Sequence, residues 1–129
     1  MMAIGIGAKG NSNCLDIAAA IAEVERAAGR KASVVATISE APFEDSTRQA
    51  AQNASATFET QTLAALQERA HECQTLSKRV LKVFGVGSIA EAAALAAAGP
   101  GSTLVVSRRT VGFVTAAAAV SRDHVKVRT

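Results

Sequence analysis

The chain has no tryptophan and no tyrosine, and its aromatic side chains are four phenylalanines. It therefore has little material for the stacked aromatic platforms that hold single-stranded nucleic acids. Cysteine is nearly as scarce. Cys14 and Cys73 stand far apart without C-x-x-C spacing, which argues for two small buried thiols rather than a disulfide framework or a zinc site. No apolar run is long enough to span a bilayer, and the opening Met-Met-Ala-Ile-Gly has no basic region leading into an apolar segment. We expect a cytoplasmic protein with no membrane partner. There is no H-E-x-x-H pair and no nucleophile elbow, and His71 and His124 sit in polar surroundings as solvated side chains. No catalytic residue, metal or cofactor is assigned.

What is present is alanine. Half of the 129 residues are apolar, and alanine supplies much of that share. A core of Ile, Val, Leu and Ala favours helices laid closely on a sheet. The length suits one domain over residues 1–129, which at this size buries roughly 65–70% of its extended-chain surface.

Met2–Ile6 reads as a first strand and Gly5–Gly10 as a flexible turn. Asn13 is a helix cap with Asp16 in the acidic first turn. Ile17, Ala20, Ile21, Val24 and Ala28 then form an amphipathic stripe that ends at Gly29. Ser33–Ile38 is apolar on consecutive positions, as a strand covered on both faces is. After Pro42, residues 44–54 read as a polar helix. Thr57–Glu59 reads as a short strand, and Thr60 as the cap of a helix over Gln61–Arg69. Another helix follows over Ser77–Phe84. Residues 53–76 show no clean period.

The last third is the most informative. Ser88 and Glu91 form an S-x-x-E capping box, in which the serine holds an orphan amide and the glutamate reaches back. An alanine-rich helix follows and stops at Gly99-Pro100-Gly101, with Gly99 expected in the left-handed cap. Thr103–Val106 and Phe113–Val120 read as strands joined too tightly for a parallel crossover, with Arg108 and Arg109 in the turn. The fold class expected is α/β: a three-layer α/β/α arrangement whose mixed, mainly parallel sheet ends in an antiparallel hairpin.

Two phosphate motifs are nearly present. Gly5-x-Gly7-x-x-Gly10 has the spacing of the dinucleotide fingerprint, but Asn11-Ser12-Asn13 delays the helix and the nearest candidate acid, Glu40, lies too far on. The same stretch nearly matches a P-loop, but Asn11 stands where the phosphate-binding lysine is required. What remains is a glycine-rich turn with Lys9, suited to a carboxylate or phosphate.

Charge is uneven. Residues 106–129 carry five Lys and Arg against Asp123 alone, whereas residues 1–105 carry nine against ten acids. In an open α/β sheet, ligands bind in the crevice outside the carboxyl ends of the strands. The turn at 7–12, the loop after Ile38, the turn Gly85–Ser88 and the Arg108-Arg109 connection should meet there. Two helix-end amide clusters and three cations would then face one cleft, suited to a polycarboxylate. The candidate binding residues are Gly7, Lys9, Gly10, Asn11, Ser12, Gly87, Ser88, Arg108, Arg109 and Thr115. The basic tail Arg122–Thr129 is a solvated end, or else the footing of a nucleic-acid module; without aromatics to stack, nucleic acid is the weaker partner.

The arrangement resembles a family, that of the cobalamin-biosynthesis protein CobE and the C-terminal domain of CbiG. The resemblance rests on Gly5-Ile6-Gly7 through Gly10-Asn11-Ser12, on Ala36-Thr37-Ile38, on Val86–Ala94, and on the hairpin with Gly112-Phe113-Val114-Thr115-Ala116-Ala117. The family's cysteine after the first glycine pair is Ala8 here, and its Val-Pro-Lys-x-Lys is Val106-Ser107-Arg108-Arg109-Thr110, which keeps the charge. The resemblance implies work on a precorrin in vitamin B12 synthesis. Full-length CbiG is associated with opening the ring-A lactone of a cobalt-precorrin, with loss of a two-carbon fragment. This chain is similar to the last domain of that protein, which implies a precorrin-binding or accessory role in the aerobic pathway, with other pathway enzymes as partners. The alternative it leaves is a small lactone hydrolase using Glu40 or Thr37.

Overall fold

The structure, a computed structural model, describes residues 1–10 and 12–122. Its elements in chain order are β1 (Met2–Ala8), α1 (Cys14–Ala28), β2 (Val34–Ile38), α2 (Glu44–Asn53), β3 (Thr57–Gln61), α3 (Leu63–Glu68), α4 (Lys78–Phe84), α5 (Ile89–Ala98), β4 (Thr103–Val111) and β5 (Val114–Val120). A 3₁₀ turn at Ala70–Glu72 follows α3. The sheet order is β3-β2-β1-β5-β4. Parallel ladders join β1 to β2 and β2 to β3, and β5 pairs antiparallel with both β1 and β4.

Alternation along β1 divides the core. Met2, Ile4 and Ile6 point to one face, where Ile17, Ala20, Ile21 and Val24 of α1 cover them with Ala50 and Ala51 of α2. Ala3 points to the other face, against Ala94, Leu95 and Ala98 of α5. Leu66 of α3 packs with Ala92 and Ala93 beyond it. The three layers follow from this pattern. Helix α5 lies very close to the sheet: a Cβ on Gly5 would collide with the backbone of Ala90 and Ala94. Small residues on both surfaces permit that approach, and it lets α5 cover β1, β2 and β5 at once.

Asn13 caps α1 as expected, accepting the Asp16 amide at 2.9 Å. Several boundaries differ. Strand β1 continues through Ala8, so Gly5 and Gly7 belong to the strand and not to a flexible turn. Pairing of β3 with β2 extends to Gln61, which pushes the next helix back; its cap is Thr62, not Thr60, accepting from Ala65 N–H at 3.1 Å. Gly99 has φ 92° and ψ 178°, a conformation open to glycine but outside the left-handed helix. The first hairpin strand is longer than expected: β4 reaches Val111 and takes both arginines into the strand, while β5 starts at Val114 rather than Phe113, leaving Gly112-Phe113 as the turn.

Candidate functional site

A cleft of about 740 Å³ opens outside the carboxyl ends of β1 and β2. Its walls come from the turn after β1, the loop after β2, helix α4, the start of α5 and the hairpin. Of the residues expected at a binding site, it contains Gly7, Lys9, Gly10, Ser88, Arg108 and Thr115. Lys9 and Arg108, distant in sequence, thus face one space.

Of the other four, the three that the structure describes lie outside the cleft lining. Asn11 is outside the described residues. Ser12 turns its hydroxyl back onto the Lys9 carbonyl at 3.0 Å and so shapes the turn. Gly87 is buried beneath the 75–77 segment, with its carbonyl accepting Ser77 N–H at 2.9 Å and no room for a Cβ beside the Thr75 carbonyl. Arg109 points to the opposite face of the sheet, where it pairs with Glu23 of α1 at 3.3 Å. Arg108 and Thr110 line the cleft while Arg109, between them, faces the other side, in the alternating pattern of a strand. Of the two helix-end amide clusters, α5 alone borders the cleft, through Ser88 and Ile89, and the Ser88 hydroxyl already accepts the Glu91 amide at 3.1 Å.

Arg108 is held from behind. The register of β4 against β5 shifts twice, between Leu104 and Val106 and again between Val106 and Arg109. Such bulges leave backbone groups outside the ladder and re-aim side chains. At the second shift the Arg108 N–H donates to Glu91 Oε2 at 2.8 Å. Glu91 does not reach back to its own cap. Its buried carboxylate also accepts Gln74 N–H at 2.7 Å, Thr75 N–H at 2.9 Å and the Thr75 hydroxyl at 2.7 Å. Burial alone would raise its pKa, but the donors from Thr75, Arg108 and Gln74 outweigh it and hold the carboxyl below the usual carboxylate range. Glu91 therefore ties the 74–75 loop and strand β4 to α5.

Thr115 lines the cleft with its hydroxyl donating to the Gly7 carbonyl at 3.2 Å. Gly7 has no room for a Cβ because the Thr115 oxygen stands there. Thr37, a candidate nucleophile, is fully buried and donates to the Ile6 carbonyl at 2.7 Å, away from the cleft. Glu40 does line it, with a left-handed backbone at φ 64° that costs a non-glycine residue about 1–3 kcal/mol. His71 is exposed, 3.7 Å from Glu72. His124 and the basic residues beyond Arg122 lie outside the described residues. Among the described residues, no group of three His, Cys, Asp or Glu side chains could hold a metal ion, and no single helix is long and apolar enough to cross a membrane.

Two features of the cleft were not legible from spacing. Arg79 of α4 adds a third cation in place of Arg109. Much of the wall is also apolar: Ile38, Val80, Val83, Phe84, Ile89 and Phe113 line it, with Val83 and Phe113 largely exposed. Away from the cleft, Arg69 secures the C-terminal end of α5. Its guanidinium donates to the Leu95, Gly99 and Ser102 carbonyls at 2.9, 3.0 and 2.9 Å while pairing with Glu72.

Comparison with known proteins agrees with this fold. Residues 2–119 match the family model described as cobalamin synthesis G C-terminus. Among solved structures, CobE, a protein from the cobalamin (vitamin B12) biosynthetic pathway, superposes with a TM-score of 0.83 at 25% identity, covering 92% of this chain and 89% of that one. The cobalamin biosynthesis protein chiG from Agrobacterium tumefaciens str. C58 gives 0.78 at 36% identity, over 95% of this chain and 100% of that one. A comparison with curated proteins finds no match.

Proposed function

The chain belongs to the cobalamin synthesis G C-terminal family, and we propose that its part in cobalamin biosynthesis is to bind a precorrin intermediate in the cleft beyond β1 and β2. The observation that carries this reading is the pairing of three cations, Lys9, Arg79 and Arg108, with a largely apolar wall. A precorrin is an apolar macrocycle fringed with acetate and propionate arms. The cations take the arms as charge-assisted hydrogen bonds, and the wall takes the ring, the usual division of labour in a small-molecule site. In this reading the protein passes the intermediate between other enzymes of the pathway.

A second reading has one observation in its favour. Glu40 is an acid with a strained backbone beside the cleft, and such strain gathers at functional sites. As a general base it would activate water to open a ring-A lactone. Absorbance titration with a purified precorrin separates the two. A saturable spectral change with the precorrin recovered unaltered supports binding; conversion to the ring-opened hydroxy acid, heavier by one water and with or without a later loss of acetaldehyde, supports hydrolysis when it is lost in an E40Q variant. No change at any protein concentration contradicts both.

A further inference from the structure

We propose that Phe113 is the platform on which the face of the ligand's conjugated ring lies, so that the cleft selects for a ring as well as for acid arms; the proposal rests on the tetrapyrrole reading above. Of the chain's four phenylalanines, Phe43 is buried and Phe58 and Phe84 are half-buried, while Phe113 is 71% exposed. It stands in the hairpin turn, after Gly112 with φ 61° and before the fully buried Val114. Its backbone is fixed although its ring is free, because its carbonyl accepts Lys9 N–H at 3.2 Å. That bond places an exposed aromatic ring and an exposed cation side by side at the mouth of the same cleft. A ligand carboxylate on Lys9 brings the adjoining macrocycle onto Phe113, and Val83, 64% exposed on α4, offers a second apolar contact. Aromatic rings in an offset stack attract each other beyond what their buried area alone supplies.

The test uses uroporphyrin III, a tetrapyrrole with eight carboxylates, and an octaglutamate peptide of similar charge without a ring. Phe113→Ala is expected to weaken uroporphyrin binding about five- to twentyfold, Phe113→Leu less, and Phe113→Trp not at all, with octaglutamate affinity unchanged in all three. Bound uroporphyrin should also shift the Phe113 ring protons upfield in proton NMR. The ring is exposed, so the variants should melt within about 2 °C of the parent. Equal weakening of both probes, or undiminished uroporphyrin binding by Phe113→Ala, overturns the platform while leaving precorrin binding intact. Failure of the parent protein to bind either uroporphyrin or a precorrin removes the tetrapyrrole reading itself, and the platform with it.

Discussion

The backbone N–H of Arg108 donates to Oε2 of Glu91 at 2.8 Å, joining a bulge in strand β4 to the first turn of helix α5. A side chain that a capping box would spend on its own helix instead fixes the segment carrying a cleft cation. Three further donors, from Gln74 and Thr75, complete the carboxylate's partners. Glu91→Gln keeps the shape but removes the charge and turns an amide N–H₂ toward these donors. It should cost about 2–4 kcal/mol, or roughly 8–15 °C in Tm for a domain of this size. Thermal melts followed by circular dichroism measure it, and a shift under about 2 °C contradicts the role.

The same carboxylate makes stability depend on pH in a definite direction. The donors around Glu91 hold its folded-state pKa below the ordinary value despite its burial. The folded state therefore binds that proton more weakly than the unfolded chain does. Its contribution is full above the unfolded pKa of about 4.3 and is lost as pH falls through the folded value. Glu72, lowered chiefly by its hydrogen bond from Arg69, acts in the same sense. Urea midpoints should thus fall steeply below about pH 4.3, and Glu91→Gln should flatten that fall. Parallel acid profiles for parent and variant would contradict this.

Close contact between α5 and β1 is equally testable. Because the backbone of Ala90 and Ala94 occupies the space beside Gly5, Gly5→Ala forces the helix off the sheet. Backbone cannot yield as a flexible side chain does, so the cost should reach about 3 kcal/mol or more. Urea unfolding checks it; a loss under about 0.5 kcal/mol would mean that the helix slides without penalty.

Where residues act on their neighbours, the fold was readable. Asn13 with Asp16, the stripe Ile17–Val24, the apolar run at β2 and the alanine-rich α5 lie in the elements expected. Where pairing with a distant strand decides, it was not. The end of β1 depends on Val114 and Thr115, and the cap of α3 moved because β2 holds β3 as far as Gln61.

At the cleft the same division holds. Lys9, Ser88 and Arg108 were expected to meet because helix N-termini and loops gather at the carboxyl edge of a parallel sheet, and they line one space. Arg109 leaves the cleft because both arginines lie within β4, where Arg109 turns toward Glu23, and the bulges in β4 have no local signature in Val105–Arg108. Arg79 reads in isolation as one more solvated cation on a short helix. The packing of Val80 and Phe84 against the cluster of Leu66, Val86, Ala92 and Ala93 brings its helix to the cleft.

The most direct test of precorrin binding by this cleft is an absorbance titration comparing Arg108→Ala with Arg109→Ala. The two residues are adjacent and carry the same charge, but only Arg108 lines the cleft; Arg109 makes an exposed ion pair with Glu23 on the far face, worth about 0–1 kcal/mol. We expect Arg108→Ala to weaken precorrin binding about tenfold, as loss of one charge-assisted hydrogen bond does, and Arg109→Ala to leave it unchanged within about twofold with a normal melt. Equal losses from both variants, or a larger loss from Arg109→Ala, would contradict binding in this cleft.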